Sequence, residues 1–235
     1  MMIALLLAAL PIVFWDQGPQ TAVALKQNGI QQVLVPAERL QAWKATGLVV
    51  REITTAEWSA LEEASAPGVD RQVQVASATR SPYLIANGWR FIRNRSAKYR
   101  YTLPAGKSAL AAAESYAYGA DAALQVQTAD LESAGKMLAF LRGLPVADLP
   151  GVSDLAVVDD QHPLVGEVMN LLARRNLLFA AATAPDPRYP INIRIGSKEY
   201  SEEDASDPNA FALKIRRQLT DERRSVRIYG SETVL

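Results

Sequence analysis

Two acidic stretches and one aromatic, arginine-rich segment hold most of the chemistry that this sequence offers. Asp16 and Gln17 follow the apolar run 12–15, and Asp159 and Asp160 follow the apolar run 155–158. Both runs read as short buried strands. In α/β folds, function collects where strands end. Two carboxylates at such ends could divide the acid and base work of hydrolysis, since glycoside cleavage needs a pair flanking one bond. Asp16 and Asp159 are therefore the candidate catalytic residues. The competing reading is that Asp16 or Asp160 caps the turn or helix that follows it.

The segment 79–104, TRSPYLIANGWRFIRNRSAKYRYTLP, has poor helical periodicity and reads as a long excursion or a hairpin with its turn at Asn87-Gly88. Tyr83, Trp89, Tyr99 and Tyr101 offer flat apolar faces there, while Arg80, Asn87 and Arg90 offer directional donors. Sugars need both, because their rings have apolar faces and hydroxyl edges. Gln17, Arg80, Asn87, Trp89, Tyr101 and Glu114 are the candidate substrate-binding residues. The competing reading packs the aromatics onto the fold and leaves the arginines solvated.

Glu114 lies in AAAESYAYGADAAL, where small neighbours would let a helix approach a sheet closely. Burial there would raise its pKa, whereas an exposed helical Glu does nothing special. His162, in DDQHP, is the only histidine and there is no cysteine, which excludes disulfides, thiolate metal sites and multi-histidine metal sites. No G-x-S-x-G elbow, Walker loop or G-x-G-x-x-G is present. Neither a metal nor a cofactor is expected. Lys plus Arg equals Asp plus Glu at 25 each, so the chain lacks the basic footprint of a nucleic-acid partner.

The elements that must position these residues are marked by one punctuation used four times. Helical segments close at Gly29, Gly47, Gly119 and Asn176, and each is followed at once by an apolar run. Gly and Asn accept the left-handed conformation of a helix C′ position, and a strand directly after it is the α-to-β turn of an α/β protein. The spacing predicts strands over 12–15, 33–35, 48–50, 73–76, 122–126, 155–158, 178–182 and 225–229, with helices over 21–28, 37–46, 55–64, 107–118, 131–141, 165–175 and 209–219. Thr54 or Thr55 is the expected N-cap of the third helix. Ile191, Ile193 and Ile195 alternate with Asn192 and Arg194 as a half-exposed strand would. With 235 residues and 49% hydrophobic composition, this count suits a (β/α) TIM-like barrel over 11–235, irregular or truncated. The alternative is a barrel part over 11–150 and an open-sheet domain over 151–235.

The opening MMIALLLAALP reads as an export signal over 1–10, which places the protein outside the cytoplasm, secreted or periplasmic; without that role it is cytoplasmic. No Lys or Arg precedes the apolar stretch, and the run is too short to span a membrane. The apolar ending TVL suggests that more protein follows.

The phrases VFWDQGP, ANGWRFIRN, AAAESYAYGADA, MNLLARRNLLF and RIYGSETVL together resemble a family of uncharacterised exported bacterial proteins described as glycosidase-like TIM barrels. The resemblance covers most of the chain and implies a barrel with a β-rich continuation. It implies carbohydrate as partner and carries over no catalytic residue, although Asp16, Asn87, Trp89 and Glu114 lie within its phrases. A carboxylate-based glycoside hydrolase is the leading expectation. A non-catalytic glycan-binding module of the cell envelope is the second. The third treats the part from Gly151 as resembling the amidotransferase-like domains attached to some glycosidases; lacking a nucleophilic Cys, it would be structural.

Overall fold

A computed structural model describes residues 10–70, 83–144 and 153–221, and the chain divides into two compact units, Met1–Pro150 and Gly151–Leu235. The expected export signal, the strands at 73–76 and 225–229, and Arg80 lie outside the described residues, apart from Leu10 at the end of the signal. No helix among the described residues is long and apolar enough to cross a membrane.

The first unit is an α/β fold around a six-stranded parallel sheet. Its strands are β1 (Ile12–Phe14), β2 (Gln32–Pro36), β3 (Val49–Ile53), β4 (Glu62–Ala64), β7 (Lys98–Thr102) and β8 (Asp121–Gln125), in the order β3-β2-β1-β8-β7-β4. A separate antiparallel pair joins β5 (Gly68–Asp70) to β6 (Tyr83–Ile85). Helices α1 (Ala22–Gln27), α2 (Leu40–Trp43), α3 (Thr55–Ala60), α4 (Gly88–Arg93), α5 (Ser108–Ala117) and α6 (Leu131–Gly143) complete the unit.

The winding explains which face the helices take. The steps β1 to β2, β2 to β3, β4 to β7 and β7 to β8 all run the same way along the sheet. Right-handed crossovers then place their helices on one face. That face holds the main core, where Leu25, Trp43, Phe91, Ala111 and Leu138 pack on Val13, Val33, Tyr99, Tyr101 and Leu124. The step from β3 to β4 runs the opposite way, from one edge of the sheet to the other. Its helix, α3, accordingly sits on the opposite face, where Trp58 and Leu61 pack against Phe14, Leu34 and Ala123. The Phe14 and Trp58 rings stack with centroids 4.0 Å apart.

All four expected caps have left-handed backbones, with φ of 75° at Gly29, 73° at Gly47, 64° at Gly119 and 55° at Asn176. Thr54 caps α3 in a reciprocal capping box with Glu57. Two expectations fail. The helix expected to run to residue 64 stops at Ala60, because Leu61 turns extended and Glu62–Ala64 joins β7 as a strand. The hairpin turn expected at Asn87-Gly88 is absent: Asn87 has φ −102° and leads directly into α4, whereas that turn type needs positive φ at both central positions.

The second unit is a three-stranded parallel sheet in the order β10-β9-β11, built from β9 (Leu155–Val158), β10 (Phe179–Ala182) and β11 (Ile191–Ile193). Helices α7 (Pro163–Arg174), α8 (Glu202–Ser206) and α9 (Pro208–Asp221) flank it. Its core includes all of β9 with Val165, Val168, Met169, Leu172, Ile193 and Phe211.

Candidate functional site

Asp16 is exposed just past the carboxyl end of β1, an interior strand of the first unit's sheet. Its surroundings are held by short bonds. The Trp15 Nε1 donates to Thr21 Oγ1 at 2.8 Å, Thr21 Oγ1 donates to the Gly18 carbonyl at 2.7 Å, and Gln17 Nε2 donates to Thr128 Oγ1 at 2.9 Å. The last bond ties the loop after β1 to the one after β8. Gln17 therefore spends its amide on the fold, while the Asp16 carboxylate has no partner among the described residues.

Three of the expected residues meet in one network on the helical face. Glu114 Oε1 accepts the Asn87 backbone N–H at 2.5 Å, and Glu114 Oε2 accepts Asn87 Nδ2 at 2.9 Å and the Tyr101 hydroxyl at 2.7 Å. Asn87 Oδ1 accepts the Ser65 N–H at 3.0 Å, and Nδ2 donates to the Ser65 carbonyl at 2.8 Å. Asn87 is 2% exposed and Tyr101 0%. Their polar atoms face one another, so in this arrangement they hold the loop after β4 against α5. Burial, reinforced by the Glu114 charge and hydrogen bond, pushes the Tyr101 phenol above its ordinary range. Trp89, half-buried on α4, takes the Arg90 guanidinium 5.0 Å from its ring centre.

A sizeable cavity lies elsewhere. It measures about 670 Å³ and takes in the opposite, sparsely covered face of the sheet. Ile12, Leu34, Ile53, Leu61 and Ala123 give it an apolar floor; Arg51, Glu52, Glu62, Lys98 and Asp121 give it polar walls. Ile12, Glu62, Lys98 and Asp121 are each the first residue of a strand and Arg51, Glu52 and Ile53 are the last three of β3, so the cavity draws on the amino ends of β1, β4, β7 and β8 and on the carboxyl end of β3. Asp16 stands at the other end of β1, four residues on, or about 13 Å away for an extended chain. On the same face Arg100 pairs with Glu63 at 2.9 Å and lies 5.8 Å from the Trp58 ring centre, while its Nε–H is buried without an acceptor. None of Arg51, Trp58, Lys98 or Arg100 was expected from sequence. The available signal was the period-two pattern of KYRYT, which sends Tyr99 and Tyr101 to the helices and Lys98 and Arg100 to the other side.

In the second unit Asp159 closes the turn after β9, accepting the Gln161 backbone N–H at 2.9 Å and its Nε2 at 2.8 Å. Gln161 has φ 67°, a conformation that this clasp supports. Asp160 accepts the His162 N–H at 2.9 Å, and His162 Nδ1 accepts the Leu164 N–H as the N-cap of α7. Asp16 and Asp159 thus belong to different units. Among the described residues no group of three or more His, Cys, Asp or Glu side chains is placed to hold a metal.

No protein-family model matches the chain, and neither the curated proteins nor the solved structures give a match.

Proposed function

We propose that the protein is carbohydrate-active and that its first unit, wound as the wall of a (β/α) barrel, binds a saccharide in the cavity opposite the main helical layer. The observation that carries this reading is the cavity itself. A volume of about 670 Å³ falls in the range of small-ligand sites, and its lining joins an apolar floor to Arg51, Glu52, Glu62 and Lys98, the mixture that a sugar's faces and hydroxyls require. Four of the five steps between strands wind one way with their helices on one face, which supports the barrel reading; the β3-to-β4 step, with α3 on the other face, does not. The resemblance to glycosidase-like proteins points the same way.

Glycoside hydrolysis by Asp16 and Asp159 is the catalytic form of this proposal. One observation favours the non-catalytic form, a glycan-binding module: Asp159, one of the two carboxylates, is clasped by Gln161 in the turn after β9. A screen of chromogenic glycosides and a glycan array, run on the native chain beside Asp16→Asn and Asp159→Asn, separates the two. Turnover lost in both variants supports the hydrolase. Glycan binding without turnover, unchanged in either variant, supports the module. Neither binding nor turnover overturns the proposal.

A further inference from the structure

The second unit carries a cavity of its own, of about 290 Å³, at the carboxyl ends of all three strands. Val158 and Asp160 reach it from β9, Thr183, Ala184 and Pro185 from beyond β10, and Arg194 and Ile195 from beyond β11. The strand order makes this a switch point. The chain leaves β9 toward β10 on one side, while β11 lies on the other, and in open parallel sheets such a divergence leaves a crevice at the carboxyl edge.

Bonds beside the cavity anchor the loops that flank it. Asn192 accepts the Asp186 N–H at 2.7 Å and donates to the carbonyls of Asp186 at 3.0 Å and Tyr189 at 2.9 Å, which ties down the loop that begins at Thr183. Beyond β11, Gly196 turns with φ 81° and its N–H bonds the Tyr200 carbonyl at 2.9 Å.

The charges are specific. Arg194 is exposed, and its guanidinium makes no ion pair or hydrogen bond among the described residues. The first turn of α7 does not supply the anion-binding donors instead. Pro163 has no N–H, Leu164 N–H is taken by His162 Nδ1, and Val165 N–H by the His162 carbonyl. Across the cavity Asp160 would repel a bare anion but accepts well from hydroxyls. Val158, Val165 and Ile195 add apolar contact.

We infer that this cavity binds a small anion that also bears hydroxyl groups, a sugar phosphate or sugar carboxylate. Arg194 takes the anionic group, and Asp160 with Thr183 takes the hydroxyls. The site is independent of the saccharide site proposed for the first unit.

The test is calorimetric titration of the whole chain with glucose 6-phosphate, glucuronate, glucose and inorganic phosphate. Saturable binding is expected for at least one of the hydroxylated anions, and which of them binds tells phosphate from carboxylate. Glucose and inorganic phosphate should each bind at least about tenfold more weakly than that anion. Arg194→Gln, at an exposed position, should weaken the binding about tenfold or more with an unchanged melting temperature, and Asp160→Asn should narrow the gap between the hydroxylated anion and inorganic phosphate. No saturable binding, Arg194-dependent binding of glucose or of inorganic phosphate as strong as that of the anion, or full binding by Arg194→Gln overturns the inference.

Discussion

The side-chain amide of Asn87 pairs with both backbone groups of Ser65, as a neighbouring strand would, while its own N–H and Nδ2 bind Glu114. One side chain thus joins the loop after β4, the start of α4 and the middle of α5. Asn87→Ala would remove these side-chain bonds from the half-buried Glu114 and the exposed Ser65 backbone. We expect it to cost about 1.5 kcal/mol, on the scale of a few partly shielded hydrogen bonds, and urea unfolding would measure it. A loss under about 0.5 kcal/mol would show that the network is not structural.

Tyr101 and Glu114 should be energetically coupled. A double-mutant cycle of Tyr101→Phe and Glu114→Gln is expected to give about 1 kcal/mol or more of interaction, because the bond is charge-assisted and shielded. Strict additivity of the two losses would contradict it.

Alkaline pH should destabilise the first unit. Burial, with the Glu62 charge second and Arg90 opposing, pushes the Tyr99 phenol from 10.0 up to about 12. Burial also raises Tyr101 and Tyr118, with Glu114 as the second cause in both. A raised folded-state pKa means that the native protein holds the proton more tightly than the unfolded chain does. The associated stability is complete below pH 10 and is lost as pH climbs toward 12. Denaturant midpoints measured across that window should fall, and Tyr99→Phe should flatten the fall.

Gly135 on α6 faces the backbone of the loop after α1, where a Cβ would overlap the carbonyl oxygen of Asn28. That atom belongs to the main chain and has little room to yield. Gly135→Ala is expected to cost about 2 kcal/mol as overpacking, read from the thermal midpoint.

These relationships show what the sequence could and could not announce. Gly29, Gly47, Gly119 and Asn176 were legible because a left-handed cap is a local demand met by residue type. Strand β9 was legible because LAVV is buried on both faces and continuously apolar. Strand β4, EEA, was not: nothing local favours a strand there, and it exists through its pairing with β7. The same limit hid the sites. The cavity walls Arg51, Glu62 and Lys98 come from three strands that meet only through long-range pairing, and Arg194 looked like the outward residue of an alternating run. Asn87, Tyr101 and Glu114 were legible as a group of polar and aromatic types, but which way they face is decided by tertiary packing.

The most direct test of the central proposal is a titration of the whole chain with the best glycan from an array, repeated on Arg51→Gln and Lys98→Gln. Both side chains line the first unit's cavity, and either change should leave the fold intact. The account predicts saccharide binding by the native chain that weakens about tenfold in at least one variant, as loss of a charged hydrogen-bond donor would produce. Binding of equal strength in the native chain and both variants, or no glycan bound at all, would contradict it.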